Sequence, residues 1–253
     1  MLQIDSLNFS IGEKKILHDV TLQFDACKIH GIIGPNGSGK STLLKNICRI
    51  WEPQSGRVFV NDQDYKSISR KDLSRLITLV PQNTNIGFPV SVYDIVSMGR
   101  HPHLGRFQSL TRQDKKNIEK ALKVTQTYEL KDRNINELSG GECQLAIIAR
   151  ALVTEASLIL LDEPTSDLDI KHALIIMDLI GDLKEEGKTI MACIHDLNLA
   201  RRYCDTISII NEGKIFYTGP SAEAFSKQNI HEAFDVRMHE ITDNSKSFLY
   251  FYK

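Results

Sequence analysis

The chain has 253 residues, of which 42% are hydrophobic and 25% charged, an ordinary globular composition with enough apolar residues for a sizeable core. Its formal net charge of −1 excludes the strongly basic surface by which many proteins bind nucleic acid or anionic lipid. No apolar run approaches the roughly 20 residues of a membrane-spanning helix, and the N-terminus does not resemble a signal peptide. We therefore expect a soluble, cytoplasmic protein that reaches a membrane only through a partner.

The five cysteines are an odd number and form no C-x-x-C pair, which favours reduced, buried thiols over a disulfide framework or a zinc site. At the N-terminus, residues 2–25 alternate apolar and polar side chains around a turn at residues 12–14. A second turn at 53–56 leads into a short strand at 57–60. These patterns predict an antiparallel β-layer made of residues 1–30 and 56–62.

A glycine-rich stretch follows the apolar run 29–33 and precedes a helical sequence, which is the context that the pattern G-x-x-x-x-G-K-[ST] requires. Backbone N–H groups of such a loop, with the N-terminus of the next helix, surround the phosphates of a nucleotide. Lys40 adds a positive charge for the β- and γ-phosphates, Ser41 a hydroxyl ligand for Mg²⁺, and Thr42 a contact to the α-phosphate. The residues assigned to phosphate binding are Gly34, Pro35, Asn36, Gly37, Ser38, Gly39, Lys40, Ser41 and Thr42.

Beyond this loop the sequence alternates strands and helices. A buried strand over 77–80 ends at Pro81 and Gln82, and residues 89–154 then show helical periodicity, with Val92, Ile95, Val96 and Met98 placed on one face. We expect a helical subdomain over 89–154, inserted into a nucleotide-binding core of residues 31–88 and 155–220. Residues 221–253 form a C-terminal extension without a clear pattern.

Two carboxylates follow the apolar run 158–161, which is typical of a central parallel strand. Ligands of open α/β sheets bind at the carboxyl ends of the strands. Asp162 is placed to hold Mg²⁺, and Glu163 to polarise the attacking water as a general base. Alone, the pair would be a solvated strand end; the upstream phosphate loop favours the catalytic interpretation.

Ser139, Gly140, Gly141 and Glu142 open a predicted helix. Ser139 and Glu142 have the spacing of a capping box, and the two glycines leave backbone N–H groups open at the positive helix end. Glycine costs about 1 kcal/mol relative to alanine inside a helix, so a closely approaching phosphate would explain both glycines. The alternative is a well-capped helix with no ligand.

A series of motifs resembles, in order and spacing, the ATP-binding subunit of an ABC transporter over essentially the whole chain: the phosphate loop, Gln82, Leu-Ser-Gly-Gly-Glu, the Asp-Glu pair, Ser166-Asp167-Leu168-Asp169 and His195. The resemblance implies an α/β fold with a P-loop NTPase core, an antiparallel β-subdomain and an inserted helical subdomain. It also implies an ATPase that uses Mg²⁺ and forms a homodimer, in which two ATP molecules lie head to tail between the subunits.

The same resemblance assigns roles to individual residues. Ser139, Gly140, Gly141 and Glu142 would bind the ATP of the partner subunit; we call these four residues the signature loop. Gln82 would contact Mg²⁺ and the attacking water, His195 would bind the γ-phosphate, and Asp169 would lie in a loop that crosses the dimer interface. Ile11 stands where the family has an aromatic residue that stacks on adenine, and Cys143 where polar or basic residues are common.

The stretch Gly-Arg-His-Pro-His at residues 99–103 resembles the ATPases of ferric-siderophore, haem and cobalamin importers. Histidines 101 and 103 form a weak metal ligand set, so a surface contact with a membrane subunit is the preferred interpretation. The implied partners are two inner-membrane permease subunits and, indirectly, a substrate-binding protein, with the ATPase peripheral on the cytoplasmic face and no nucleic acid involved. Rival hypotheses are an exporter with separate membrane subunits, an ABC ATPase outside transport, and a regulatory module without turnover.

Overall fold

The computed structural model describes residues 1–82, 86–243 and 246–253, so residues 83–85 of the expected core lie outside it. The strands, in chain order, are β1 (Leu2–Ile11), β2 (Lys14–Phe24), β3 (Ile29–Ile33), β4 (Ser55–Val60), β5 (Gln63–Asp64), β6 (Ile77–Val80), β7 (Leu158–Asp162), β8 (Thr189–Cys193), β9 (Thr206–Asn211), β10 (Lys214–Pro220), β11 (Arg237–Asp243) and β12 (Lys246–Tyr252). The α-helices are α1 (Lys40–Ile47), α2 (Arg70–Leu76), α3 (Val92–Ser97), α4 (Arg112–Val124), α5 (Gly140–Leu152), α6 (Ile170–Glu185), α7 (Leu197–Tyr203), α8 (Ser221–Ala224) and α9 (Lys227–Phe234).

Two sheets enclose one of the two hydrophobic cores. The antiparallel sheet has the order β2-β1-β4-β5, and the alternation of its strands buries Leu2, Ile4 and Leu7 on one face. The six-stranded sheet has the order β10-β9-β3-β8-β7-β6. Apolar side chains of both sheets meet around Leu43 and Leu44 of α1, so the helix that follows the glycine-rich loop is fixed from both sides.

The six-stranded sheet is parallel except for its edge pair β9 and β10. Every residue of β3, β7 and β8 is buried, because α1 and the antiparallel sheet cover one face of these strands and further helices cover the other. Strand β3 leads into the glycine-rich loop and β7 into the acidic pair, so both motifs emerge at the carboxyl edge of the same sheet. The expected α/β fold class is confirmed.

The helices α3, α4 and α5 occupy the chain between β6 and β7, as the helical periodicity predicted. One placement was wrong: Met98 does not share the buried face of Val92, Ile95 and Val96, but is 38% exposed. The reason is that α3 ends at Ser97 and a 3₁₀ segment, Met98–His103, turns the chain away. No helix in the described ranges combines the length and apolarity needed to cross a bilayer.

The C-terminal segment, for which the sequence showed no pattern, forms two helices and the β11–β12 hairpin. Asn198 of α7 holds this hairpin through its side-chain amide. Its Nδ2 donates to the backbone oxygen of Leu249 at 3.2 Å, and its Oδ1 accepts from the backbone N–H of Leu249 at 2.7 Å. The hairpin is therefore fixed to the helix that directly follows His195.

An aromatic stack closes the far end of α1. The rings of Phe9 and Trp51 lie 5.4 Å apart between centroids at an interplanar angle of 5°. The ammonium group of Lys45, in the last turn of α1, lies 4.6 Å from the centre of the Trp51 ring. The packing joins the antiparallel sheet to the helix behind the glycine-rich loop.

Candidate nucleotide-binding and hydrolysis site

The glycine-rich loop turns sharply between β3 and α1. Gly39 has a φ of 108°, a value that favours glycine, and it precedes the helix without a side-chain cap. The first N–H groups of α1 consequently remain open for an anion. The buried Lys40 begins the helix, and its Nζ donates to the backbone oxygens of Gly34 at 2.9 Å and Pro35 at 3.1 Å.

A second donor in this loop has no partner. Ser38 Oγ is buried and makes no hydrogen bond, which is unfavourable for a hydroxyl in a folded protein. At Gly34, a Cβ would collide with the backbone oxygen of Ile210, so only glycine fits at this position. An ammonium group, an unpaired hydroxyl and a free helix N-terminus around one loop fit a polyphosphate.

Ser41 and Asp162 form the predicted metal pair. Ser41 Oγ donates to Asp162 Oδ1 at 2.9 Å, which joins the start of α1 to the end of β7. Burial raises the pKa of the Asp162 carboxyl, with a smaller contribution from the charge of Glu163. A hydroxyl and a carboxylate fit Mg²⁺, which usually takes one or two protein oxygens and completes its octahedron with phosphate oxygens and water.

Glu163 is held between two side chains from distant parts of the chain. Gln82 Nε2 donates to Glu163 Oε2 at 2.6 Å, and His195 Nε2 lies 2.5 Å from Glu163 Oε1. The three residues follow β6, β7 and β8, which are neighbours in the sheet. The backbone of Glu163 has a φ of 52°, in the left-handed region that non-glycine residues adopt uncommonly.

The signature loop bonds within itself and packs on α6. Glu142 Oε2 accepts from Ser139 N at 2.9 Å and from Ser139 Oγ at 2.8 Å, while the Glu142 N–H donates to Ser139 Oγ at 3.3 Å. This is the capping box expected from the spacing. The Glu142 carboxylate thus faces Ser139. Hydrogen bonds from the Ser139 N–H and hydroxyl lower the pKa of the Glu142 carboxyl.

One contact of α6 with the signature loop, and the hydrogen bond that orients it, were missed by sequence reasoning. Asp169 caps α6 and bonds the His172 ring, and that ring packs directly against Gly141. The sequence does contain the N-cap signal of an aspartate before an apolar helix, but it contains no sign that the ring of His172 would meet Gly141. Such a contact depends on how α5 and α6 cross.

Arg100 lies within the stretch 99–103 for which a surface contact was expected, and its side chain is buried. The surface contact of the stretch itself stays a prediction. The side chains of Arg100 and Asp114 are each 7% exposed, and their Nε and Oδ1 atoms lie 2.8 Å apart. Arg100 Nη1 also donates to Glu155 Oε2 at 2.6 Å. His103 Nε2 lies 2.8 Å from the backbone oxygen of Thr154, whereas His101 is exposed.

The adenine side of the site also differs from the family pattern. Ile11, at the end of β1, is 53% exposed and is therefore free to contact a ligand. Phe9, the nearest aromatic residue along β1, is buried and stacked on Trp51. An aliphatic surface consequently stands at the position where the family places an aromatic ring.

These features define a P-loop nucleotide-binding protein: a phosphate loop between β3 and α1, a serine–aspartate metal pair, and a glutamate that directly follows the aspartate. The profile of the ABC transporter family matches residues 17–166 of the chain. The chain therefore belongs to the ATP-binding proteins of the ABC transporter family, as the order of its motifs indicated.

Curated relatives cover almost the whole chain. The petrobactin import ATP-binding protein YclP of Bacillus subtilis is 34% identical over 99% of this chain and 100% of its own length. The ferric enterobactin transport ATP-binding protein FepC of Escherichia coli is 34% identical over 96% of this chain and 90% of its own. The cobalamin import ATP-binding protein BtuD of Halobacterium salinarum is 36% identical over 96% of this chain, which spans 61% of that protein.

Solved structures show the same fold. An inward-facing metal-chelate type ABC transporter superimposes with a TM-score of 0.87 at 29% identity, over 99% of this chain and 96% of that one. The dimeric post-hydrolysis state of an ATP-binding cassette, with ADP and phosphate bound, superimposes with a TM-score of 0.76 at 27% identity. It covers 87% of this chain and 99% of the other.

Proposed function

We propose that this protein is the ATPase subunit of an importer that takes up an iron chelate, as ferric siderophore or haem, or a related metal complex such as cobalamin. The observation that carries the ATPase assignment is the Glu163 carboxylate, fixed between Gln82 and His195 beside the phosphate loop. The substrate class is supported by the import ATP-binding proteins among the relatives.

The side chains divide the chemistry of hydrolysis among them. Lys40, with the loop N–H groups, neutralises phosphate charge, and Ser41, Asp162 and Gln82 would hold Mg²⁺, which supplies Lewis-acid stabilisation of the transferred phosphoryl group. Glu163 accepts a proton from the attacking water, while Gln82 and His195 hold its carboxylate in place. In addition, His195 would donate a hydrogen bond to the γ-phosphate.

Each ATP would lie between two copies of the chain. Ser139, Gly140 and Gly141 of one copy would complete the site of the other, and Glu142 would act by fixing Ser139 through the capping box rather than by touching phosphate. The dimeric cassette among the similar structures supports this arrangement.

A groove of about 580 Å³ is the place where a permease subunit would dock, which would hold this protein on the cytoplasmic face of the inner membrane. The groove lies between the core and the helical subdomain, and its lining includes the exposed Ile50 and Met98 and the arginines Arg70 and Arg150. It also includes Ile77, Thr78 and Leu79 of β6, the strand that ends two residues before Gln82. Movement of a docked subunit would therefore reach the catalytic glutamine.

The test is uptake of radiolabelled iron, as ferric siderophore or as haem, in cells whose own copy is replaced by the natural chain, by Glu163→Gln, or by Glu129→Gln. Glu129 is an exposed glutamate away from the site and serves as the matched control. If uptake from one iron source is lost with Glu163→Gln and kept with Glu129→Gln, the result supports the proposal and identifies the chelate. Normal uptake of both, followed by normal cobalamin uptake, overturns the import function and favours an exporter.

Docking has its own test. Met98→Glu places a charge in the groove far from the phosphate loop, so we expect loss of uptake and of co-purification with the permease, while ATP hydrolysis by the isolated subunit continues. Retained uptake would contradict the assignment of the groove.

A further inference from the structure

The first turn of α6, which Asp169 caps, packs directly on the signature loop of the same chain through the ring of His172. We propose that His172 is a positioning residue, which holds the signature glycines in the orientation that the partner's ATP requires and thereby joins the two ATP sites of a dimer. The proposal rests on the proposed function, since it concerns an ATP site shared between two copies.

The side of His172 that faces Asp169 is fixed by three hydrogen-bond contacts. The His172 N–H donates to Asp169 Oδ1 at 2.8 Å, and Nδ1 lies 3.0 Å from Oδ1 and 2.9 Å from Oδ2 of the same carboxylate. Asp169 is thus both the N-cap of α6 and the group that sets the ring orientation. Although Asp169 is largely exposed, the ring of His172 is 24% exposed and turns inward.

The opposite side of the ring touches the signature loop. A Cβ built on Gly141 would overlap Cγ, Cδ2 and Cβ of His172, so the glycine backbone and the imidazole are in direct contact. A Cβ at Gly140 would be 3.5 Å from Leu168 Cδ2, which is ordinary packing distance. Leu168 and His172 therefore pack against Gly140 and Gly141 respectively, and His172 makes the closer contact.

The stretch of chain that leads to Asp169 and His172 begins at Glu163, the proposed general base. The backbone oxygen of Glu163 accepts from Ser166 N at 3.2 Å and from Ser166 Oγ at 3.0 Å, which closes a tight turn after β7. Asp169 and His172 follow this turn within one stretch of chain. A displacement at Glu163 consequently has a short route to Gly141, made of hydrogen bonds at Ser166 and Asp169, the chain between them, and the packing of His172 on the glycine.

In a head-to-tail dimer the two ends of this route serve different ATP molecules. Glu163 acts on the ATP of its own phosphate loop, whereas Gly141 completes the site of the partner. His172 of one copy should then affect hydrolysis mainly at the opposite site. This directionality separates a positioning role from a general contribution to stability, which would affect the site of its own copy as well.

The experiment uses two full chains fused in one polypeptide, with Glu163→Gln in the second copy so that only the site of the first copy turns over. His172→Ala in the second copy, whose signature loop faces the active site, is expected to lower kcat by ~10- to 100-fold, the order expected for a small misplacement of a catalytic group. His172→Ala in the first copy is expected to leave kcat near the parental value.

Two further variants exclude a merely structural effect. His172→Asn in the second copy keeps a donor at the place of Nδ1 and atoms where the ring meets Gly141, so it should restore kcat. Lys171→Ala, on the exposed side of the same helix, should leave it unchanged. Melting temperatures of all fused dimers check that each one is folded.

Equal effects from both placements, or no effect from either, would overturn the role of His172. Failure of the proposed function would look different. If the fused dimer without His172 substitutions hydrolyses no ATP, the ATPase itself is absent, and the placement experiment has no signal to compare.

Discussion

His195 Nε2 lies 2.5 Å from Oε1 of Glu163, while the other carboxylate oxygen of Glu163 accepts from Gln82 at 2.6 Å. The glutamate side chain is thus held at both oxygens by the protein itself. A general base fixed in this way, as we propose for Glu163, loses little conformational freedom on reaching its catalytic geometry.

The substitution Glu163→Gln removes the proton acceptor and preserves the size of the side chain. Positioned general bases contribute about 10²- to 10⁴-fold to rate, so we expect kcat for ATP to fall by that order. Binding of radiolabelled ATP should remain, because the phosphate loop is untouched, and the variant should elute as a dimer only when ATP is present. Hydrolysis at the natural rate would show that Glu163 is not the base.

The buried pair of Arg100 and Asp114 should make stability depend on acid pH. Hydrogen bonds from Thr111, and then from Arg100, lower the pKa of the Asp114 carboxyl below its usual value. The ionised carboxylate of Asp114 is therefore more stable in the folded than in the unfolded chain. This contribution to the free energy of unfolding is complete above about pH 4, the ordinary aspartate pKa, and is lost as pH falls through the lower pKa of the folded state.

Asp114→Asn is expected to reduce the free energy of unfolding by about 3 kcal/mol at pH 7, the low end for breaking a buried pair, because Glu155 remains bound to Arg100. The difference from the natural chain should shrink on acidification. Denaturant unfolding at several pH values measures both effects. A difference that stays constant with pH would contradict the ionic role of Asp114, and the exposed Asp62→Asn serves as control.

The cysteines should differ sharply in reactivity. Cys27 is exposed, whereas burial raises the pKa of Cys48 and of Cys204 to about 12 and also raises that of Cys143. Because the thiolate is the reactive form, a disulfide reagent at pH 8 should show one fast-reacting thiol per native chain. Cys27→Ser should abolish this fast phase and Cys48→Ser should retain it; a fast phase that survives Cys27→Ser would refute the assignment.

Loss of the Asn198 amide should loosen the C-terminal hairpin. Asn198→Ala removes both hydrogen bonds to the buried backbone of Leu249, at a cost of roughly 1–3 kcal/mol for groups left unpaired. We expect faster hydrogen–deuterium exchange in the peptide that contains β12, measured by mass spectrometry. Asn198→Asp, which keeps only the acceptor, should be intermediate, and unchanged exchange in Asn198→Ala would mean that other contacts hold the hairpin.

Motifs that are contiguous in the chain could be identified from the sequence alone. The glycine-rich loop, the Asp162–Glu163 pair and the Ser139–Glu142 capping box each depend on residues a few positions apart, so spacing alone predicts their local geometry. Gln82 and His195 were assigned through the family resemblance. Their convergence on Glu163 could be foreseen only because neighbouring parallel strands end at the same edge of a sheet.

Contacts between distant segments could not be predicted. The burial of Arg100 could not be foreseen, because arginine is seldom buried; its guanidinium is enclosed by Asp114 and Glu155 from other segments. The contact of His172 with Gly141 depends on the packing of α5 against α6. In the C-terminal segment, the aromatic-rich run 248–252 has a composition that favours a strand, a signal that sequence reasoning missed.

The stack of Phe9 on Trp51, with Lys45 above the indole, gives the molecule an internal optical reporter. Trp51 is the sole tryptophan of the chain, and Lys45 belongs to the helix that begins at Lys40, the residue proposed to bind phosphate. Indole emission responds to the position of a nearby cation, so we expect nucleotide binding at the loop before α1 to change the intrinsic fluorescence of the unlabelled protein. Such a change would report binding of ATP to the natural chain and to its hydrolysis-deficient variants without turnover as the signal.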